Sequence, residues 1–544
     1  MAFLVFAVVN YIRIFLINNV DKKMHNRKKS VLLVAMPFAG PIIPSIQLPV
    51  LEGYAKERDI DIQTRHLYLK AAELYGINSY NFLINPPNNS YMAQMAFTKY
   101  VFPEHWKQTE EQCKKYFTER ILRHLDKYNI SAFENYIQQT DQFYHWVLDN
   151  VDWDSYDIIG FTLNYGQLLP SLAIAKKIKE QCPEKKIILG GSQTSDKLGV
   201  NVLRAFDYID FIVSGDGEDA LYRLASDYQN YESIPHLMYR IGDEVIWNQS
   251  DTYIDLNTLP IPNFDPFYEE LSRVSKEVRQ FFDIDGRLPV EISRGCWWNR
   301  CTFCNLNIQH PCYREKNVKR IVEEIKFLSG KHTMRRFQII GNTLPKKDCR
   351  LLFEEIIKLG KDFDFFVEAR ADQLKSDDYR LMKEAGFKNI QIGIESFSQN
   401  YLKKMNKGVR VIDNIAALKF CKENGIKCQY NLVVNYPNEE SIDFEETKKN
   451  IQQFKQYLDP PQISYFVVEF GSIIYNNPTA FNIEKLEYTD VDKIMFPQKI
   501  LEKNISFYYN FKRKNDLGEH NWEQLVAEWR QEQREQCAVE EMKR

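Results

Sequence analysis

Short, wholly apolar runs alternate with longer amphipathic stretches along most of the chain, and the alternation divides it into two α/β series. The first series opens with the buried-strand run Ser30-Val31-Leu32-Leu33-Val34-Ala35-Met36, which stops at Pro37-Phe38-Ala39-Gly40-Pro41. The pattern predicts a helix over 45–58, a strand over 60–67 and a largely helical region over 70–150. A regular rhythm follows: a strand over 156–162, a helix over 168–181, a strand over 186–189 ending in Gly190-Gly191, and a strand over 210–214 ending in Gly215-Asp216-Gly217-Glu218. Strands that alternate with helices imply a doubly wound, mainly parallel sheet of the Rossmann-like kind. Residues 256–285 contain Leu259-Pro260-Ile261-Pro262 and read as a linker stiffened by proline. The second series has strands expected near 289–294, 336–340, 364–369, 389–394, 428–434 and 463–468, and six such units suggest a partial (β/α)6 barrel. From about residue 480 the chain is charged and is expected to be helical.

This reading gives five segments: an apolar and basic extension over 1–29, a Rossmann-like domain over 30–255, the linker over 256–285, a partial barrel over 286–478 and a C-terminal region over 479–544. The length of 544 residues suits several domains. A formal net charge of -3 gives no general attraction to nucleic acid or to anionic membranes, so neither is expected as a partner. Aromatic residues make up 14%, which fits either wide pockets with stacking walls or an aromatic-rich core. Residues Ala2 to Val20 are long enough for a membrane anchor, but Asn10, Arg13, Asn18 and Asn19 interrupt them. An extension upstream of Met24 and a cytoplasmic enzyme are the expectation.

In doubly wound sheets, ligands lie outside the carboxyl ends of the strands. Here those ends are Asn164-Tyr165-Gly166, Gly190-Gly191-Ser192-Gln193 and Gly215-Asp216-Gly217-Glu218. Each glycine pair fits a ligand approaching the backbone, and equally a tight turn. Of 10 cysteines, Cys296, Cys301 and Cys304 cluster directly after the first strand of the second series, where barrel chemistry sits. Three thiolates can hold a [4Fe–4S] cluster and leave one iron open, with Phe303 shielding it. The competing reading is structural zinc, with Cys312 or His310 as fourth ligand.

The pieces Ser293-Arg294-Gly295-Cys296-Trp297-Trp298, Cys301-Thr302-Phe303-Cys304, Glu368-Ala369-Arg370-Ala371-Asp372 and Gln391-Ile392-Gly393-Ile394-Glu395-Ser396 resemble the radical S-adenosylmethionine (SAM) superfamily. The layout, with Gly190-Gly191-Ser192 and Gly215-Asp216-Gly217-Glu218, is similar to its subgroup with a cobalamin-binding-type domain. Closer still, it resembles the RiPP maturation family, found beside bacteriocin-type precursors, that modifies ribosomally made peptides. The resemblance implies that Cys296, Cys301 and Cys304 bind the cluster and that Glu368, Arg370, Glu395 and Ser396 contact SAM. It implies cobalamin against Gly190, Gly191 and Ser192, with Gly215 and Glu218 as further candidates. A precursor peptide and a flavodoxin- or ferredoxin-type electron donor are the implied partners, and cobalamin-dependent C-methylation is the implied reaction. A crosslink, epimerisation or rearrangement, or a non-catalytic binding role, is the alternative. No acid–base catalyst is singled out. The Glu368–Arg370 pair also reads as a structural ion pair. The chain departs from the resemblance in its four-residue first cysteine gap, in Gly341-Asn342 and in Asn435-Tyr436-Pro437-Asn438-Glu439. It also lacks Asp-x-His-x-x-Gly, and His66 and His145 have no such context.

Overall fold

The computed structural model describes residues 28–85, 89–122, 133–515 and 520–543. The apolar stretch before Met24 lies outside the described residues. Strands β1 (Val31–Ala35), β2 (Ile62–His66), β3 (Ile158–Thr162), β4 (Lys186–Gly190) and β5 (Phe211–Val213) pair in parallel in the order β2-β1-β3-β4-β5. An antiparallel hairpin, β6 (Leu237–Ile241) and β7 (Glu244–Trp247), extends the edge beside β5. The hairpin was not anticipated, because its charged turn sits inside a polar stretch. The order reverses between β1 and β3, which makes that crevice a topological switch point. β1 and β3 are buried along their whole length. They therefore read as continuous apolar runs instead of alternating ones.

The described helices between residues 68 and 150 are rich in aromatic side chains. Phe38 stacks on Tyr80 with ring centroids 5.6 Å apart, and Phe117 stacks on Tyr136 at 4.6 Å. This resolves the aromatic content towards packing in this part of the molecule.

In the second half, β8 (Leu288–Glu291), β11 (Arg336–Ile340), β12 (Asp364–Arg370), β13 (Asn389–Gly393) and β14 (Lys427–Gln429) form a parallel five-stranded sheet. The short pair β9 (Ser293–Arg294) and β10 (Arg314–Glu315) brackets the cysteine segment. β15 (Asn431–Val434) and β16 (Gln462–Tyr465) form a parallel pair, and a bridge from Glu395 to Leu432 joins β15 to the end of β13. The expected strand over 428–434 is thus broken at Tyr430. The one over 463–468 is broken after Tyr465, and its end becomes β17 (Val468–Glu469) in another sheet.

Two segments differ from the expectation. The 256–285 linker carries α1 (Asp265–Arg273) and α2 (Lys276–Asp285), whose Phe267, Leu271, Val278 and Phe282 join the N-terminal core. The C-terminal region is not wholly helical: β18 (Ile483–Tyr488) and β19 (Tyr508–Arg513) pair antiparallel, and β17 pairs with β19. Charged side chains on the exposed face of β18 give that strand the composition of a solvated helix. Between these strands, Val491, Ile494 and Met495 return to the N-terminal core. The last helix, α3 (Trp522–Lys543), packs Trp522, Leu525 and Trp529 into the barrel core. Among the described residues, no helix is long and apolar enough to cross a membrane.

Trp522 is 4% exposed and donates Nε1–H to Glu439 Oε1 at 2.6 Å. Trp522→Ala is expected to cost about 3–5 kcal/mol in urea unfolding. It should also make α3 the first segment cut in limited proteolysis.

Candidate functional site

The carboxyl ends of the two parallel sheets face each other across a cavity of about 350 Å³. The N-terminal domain contributes Gly160, Thr162, Gly190, Gly191, Gly215 and Glu218, and the barrel contributes Ser293, Arg294, Gly295, Gln338, Asn342 and Glu368. Gly191 has φ +116°, and a Cβ there would lie 2.4 Å from the Leu163 carbonyl. Three polar atoms at the cavity are buried without a hydrogen-bond partner, Thr162 Oγ1, Ser293 Oγ and His310 Nδ1. A large ligand with polar substituents fits such a lining, because orphaned buried donors and acceptors are costly unless something pairs them. Ser192 lies outside the lining; its hydroxyl donates to Asn164 Oδ1 at 3.4 Å.

A buried charge network closes one side of this cavity. Arg294 Nη1 lies 2.8 Å from Asp216 Oδ1, Nη2 lies 2.6 Å from Glu218 Oε1, and Nε lies 2.8 Å from Glu291 Oε1. Arg314 adds a bidentate pair to Asp216, at 2.6 and 2.9 Å. Burial works to raise the Asp216 pKa, but Arg314 and Arg294 outweigh it and hold the carboxyl well below the usual range. For His310, burial and the neighbouring Arg294 push the pKa down to about 4, so its ring is neutral. The Gly-Asp-Gly-Glu and Ser-Arg-Gly-Cys segments, from different domains, therefore meet at one contact. Sequence reasoning marked both segments but not their partnership; opposite charges beside glycine in each were the available signal.

The cysteine loop begins two residues after Arg294. Gly295 has φ +80°, and a Cβ there would lie 2.8 Å from the Cys312 carbonyl. Downstream, Thr302 donates N–H to the Met405 carbonyl at 3.0 Å, and its hydroxyl bonds the Tyr436 hydroxyl at 2.7 Å. Trp298 Nε1 donates to the Asn406 carbonyl at 2.8 Å, and the Arg370 guanidinium lies 5.0 and 4.9 Å from the Trp297 and Trp298 rings. Burial pushes the Cys304 thiol up to about 12, and the Cys301 and Cys296 thiols add to it. Burial also raises Cys301, against the pull of Lys407 and Arg370. The three thiols are thus close neighbours, and metal binding is what makes such thiols thiolates. Among the described residues, no three His, Cys, Asp or Glu side chains converge as a single metal ion requires. A cubane spreads its three thiolates over three irons, so this donor set fits it.

Glu368 faces the cavity, and burial raises its pKa while Lys407 opposes the rise. It does not pair with Arg370, whose Nε bonds Asp372 Oδ1 at 3.0 Å and whose Nη2 bonds the Lys407 carbonyl at 3.0 Å. Glu395, at φ +60°, accepts from Lys407 Nζ at 2.6 Å. A Cβ on Gly393 would lie 2.6 Å from Lys407 Nζ, so the glycine admits the lysine. Ser396 is buried and receives the Ser398 N–H at 2.9 Å. In the departed loop, Glu439 keeps a closing role, accepting from Asn435 N at 2.7 Å and Tyr401 Oη at 3.0 Å. Lys407 was not singled out from the sequence; nothing in its local pattern distinguishes it from neighbouring lysines.

Residues 290–451 match the model of the Radical SAM superfamily. The barrel half therefore carries a radical SAM domain, which implies a [4Fe–4S] cluster and SAM. An uncharacterized methyltransferase of Pyrococcus horikoshii is 24% identical over 364 residues, covering 64% of this chain and 76% of the relative. The cobalamin-dependent SAM radical enzyme OxsB, solved with aqua-cobalamin and SAM, superposes with TM-score 0.57 at 18% identity; the match covers 90% of this chain and 58% of OxsB. The radical SAM methyltransferase TsrM from Kitasatospora setae, solved with tryptophan and a SAM analogue, gives TM-score 0.61 at 12% identity, covering 89% of this chain and 86% of TsrM.

Arg294→Ala removes the Arg294 pair from Glu218 and Glu291 and leaves Asp216 with Arg314 alone, so a loss of about 3–5 kcal/mol in denaturant unfolding is expected. Gly191→Ala should lower affinity for a corrin in equilibrium dialysis while far-UV dichroism is unchanged, because the added methyl forces the cavity floor to shift.

Proposed function

We propose that this chain is a cobalamin-dependent radical SAM C-methyltransferase acting on a ribosomally made peptide in the cytoplasm, with a flavodoxin- or ferredoxin-type protein as its electron donor. The observation that carries this reading is the cavity between the two rows of strand ends, glycine-floored on one side and bounded on the other by Gly295, next to Cys296. When bound, the cluster would cleave SAM reductively to a 5′-deoxyadenosyl radical, and cobalamin would supply the methyl group.

The residues of the chain divide the remaining work. Cys296, Cys301 and Cys304 would hold the cluster through three irons. Lys407, held by Glu395, places positive charge beside Cys301 and offsets the charge of the thiolates. Glu368 offers a carboxylate to sugar hydroxyls from the cavity wall. Gly190, Gly191 and Gly215 give a flat corrin close access to the backbone, and Thr162 and His310 offer free polar atoms to its amide substituents. The two domains enclose the cavity, which excludes water from reactive species.

Anaerobic reconstitution with iron and sulfide should give a brown protein that forms 5′-deoxyadenosine from SAM under a reductant. Cys301→Ala should lose both the cluster absorbance and this activity. The protein should retain hydroxocobalamin through gel filtration, and a precursor peptide encoded beside it should gain 14 Da (about one methylene) per modification. Retained corrin with an unmodified peptide would overturn the methyltransferase reading.

A further inference from the structure

Three segments of the chain meet beside the cysteine loop near Cys304. Glu469 ends β17, and its Cα partner across the antiparallel pair is Tyr508 on β19. Tyr508 stacks against Tyr165, from the loop after β3, with centroids 5.9 Å apart and planes 19° apart, and Phe507 meets Tyr165 edge-on at 5.2 Å. The Glu469 carboxylate is half-buried and forms no salt bridge with any described residue. Its neighbour Phe470 accepts the side-chain amide of Asn305 at 3.3 Å, which sets Glu469 beside the residue after Cys304. An enclosed carboxylate without a counter-ion costs free energy unless a cation joins it. The faces of tyrosine and phenylalanine rings attract cations as well.

The geometry points to Glu469, walled by Tyr165 and Tyr508, as the binding site for a cationic nitrogen group of the substrate, an amine or guanidine held beside the cluster loop. This inference rests on the functional reading above, because it is the cluster that makes this position an active site. The N-terminal domain supplies Tyr165 and the C-terminal sheet supplies Glu469 and Tyr508, so the site exists only in the assembled chain. Lys407 and Arg370 already supply positive charge beside Cys301, which leaves the neighbourhood of Cys304 for a cationic partner.

The test uses the whole chain, reconstituted with its cluster, and n-butylammonium as the probe against its neutral counterpart 1-butanol. Ligand-observed NMR should show saturable butylammonium binding by the parent. Glu469→Gln, which keeps the shape, should weaken it about tenfold, as loss of a charged hydrogen bond does. Tyr165→Leu should weaken it severalfold, and SAM affinity should match the parent in both variants. Equal butylammonium binding by parent and Glu469→Gln, or equal preference for 1-butanol, would overturn the proposal. So would loss of SAM binding in Glu469→Gln, which would assign the carboxylate to the cofactor. A parent that holds butylammonium through Glu469 but takes up neither iron nor SAM would leave the cation site standing and remove the functional reading instead.

Discussion

The arrangement of this molecule depends on one buried guanidinium. Arg294 is 9% exposed and is surrounded by Asp216, Glu218 and Glu291, with Arg314 as a second cation on Asp216. Taking five charges out of water is expensive, and an apolar replacement of similar volume often folds as well or better. Stability alone is therefore a poor reason for such a network. What a guanidinium provides that an apolar contact lacks is direction: its donors lie in one plane and meet carboxylates only at fixed angles. Two of the carboxylates open the helix after β5, and the third ends β8. The network thus sets the distance and rotation between the carboxyl ends of two sheets that otherwise share no strand. The cavity between them has its size because this contact fixes its wall.

The same contact also reaches the cysteine loop. Cys296 follows Arg294 with only Gly295 between, and the positive φ of Gly295 turns the chain under the Cys312 carbonyl. From there, tertiary contacts guide the loop: Thr302 to Met405 and Tyr436, Trp298 to Asn406, and Asn305 to Phe470. The anchors come from three places: residues 405–406 after β13, Tyr436 after β15 and Phe470 after β17. A loop with little regular structure is therefore held by hydrogen bonds from the scaffold, as a site requiring preorganisation must be.

Much of this was legible in the sequence, for a physical reason. The strands of a doubly covered parallel sheet are short uninterrupted apolar runs, and β11, β12 and β13 lie within a residue of where the pattern put them. The cysteines and the strand-end glycines were legible because their spacing is local. The rest depends on contacts distant in sequence. Lys407 is one lysine among many until Gly393 admits it to Glu395. Glu469 lies in a strand that leaves the barrel for an antiparallel sheet, a change that no period in the sequence announces. β18 was hidden because a strand with one charged face and a solvated helix have similar composition, and only pairing with β19 distinguishes them.

The electrostatics on the two sides of the cysteine loop are opposite, and the asymmetry has a chemical sense. On one side, Lys407 and Arg370 pull the Cys301 thiol down against its burial. On the other, burial and Glu469 raise the Cys304 thiol. A ligand spanning the loop therefore meets positive charge at one end and negative charge at the other. SAM carries a carboxylate, and the cationic side of the loop suits it. The acidic side is left for a group of opposite sign, walled by rings that would also exclude water. On the proposed reading, this difference in charge would let the cofactor and the substrate each take a different part of the loop.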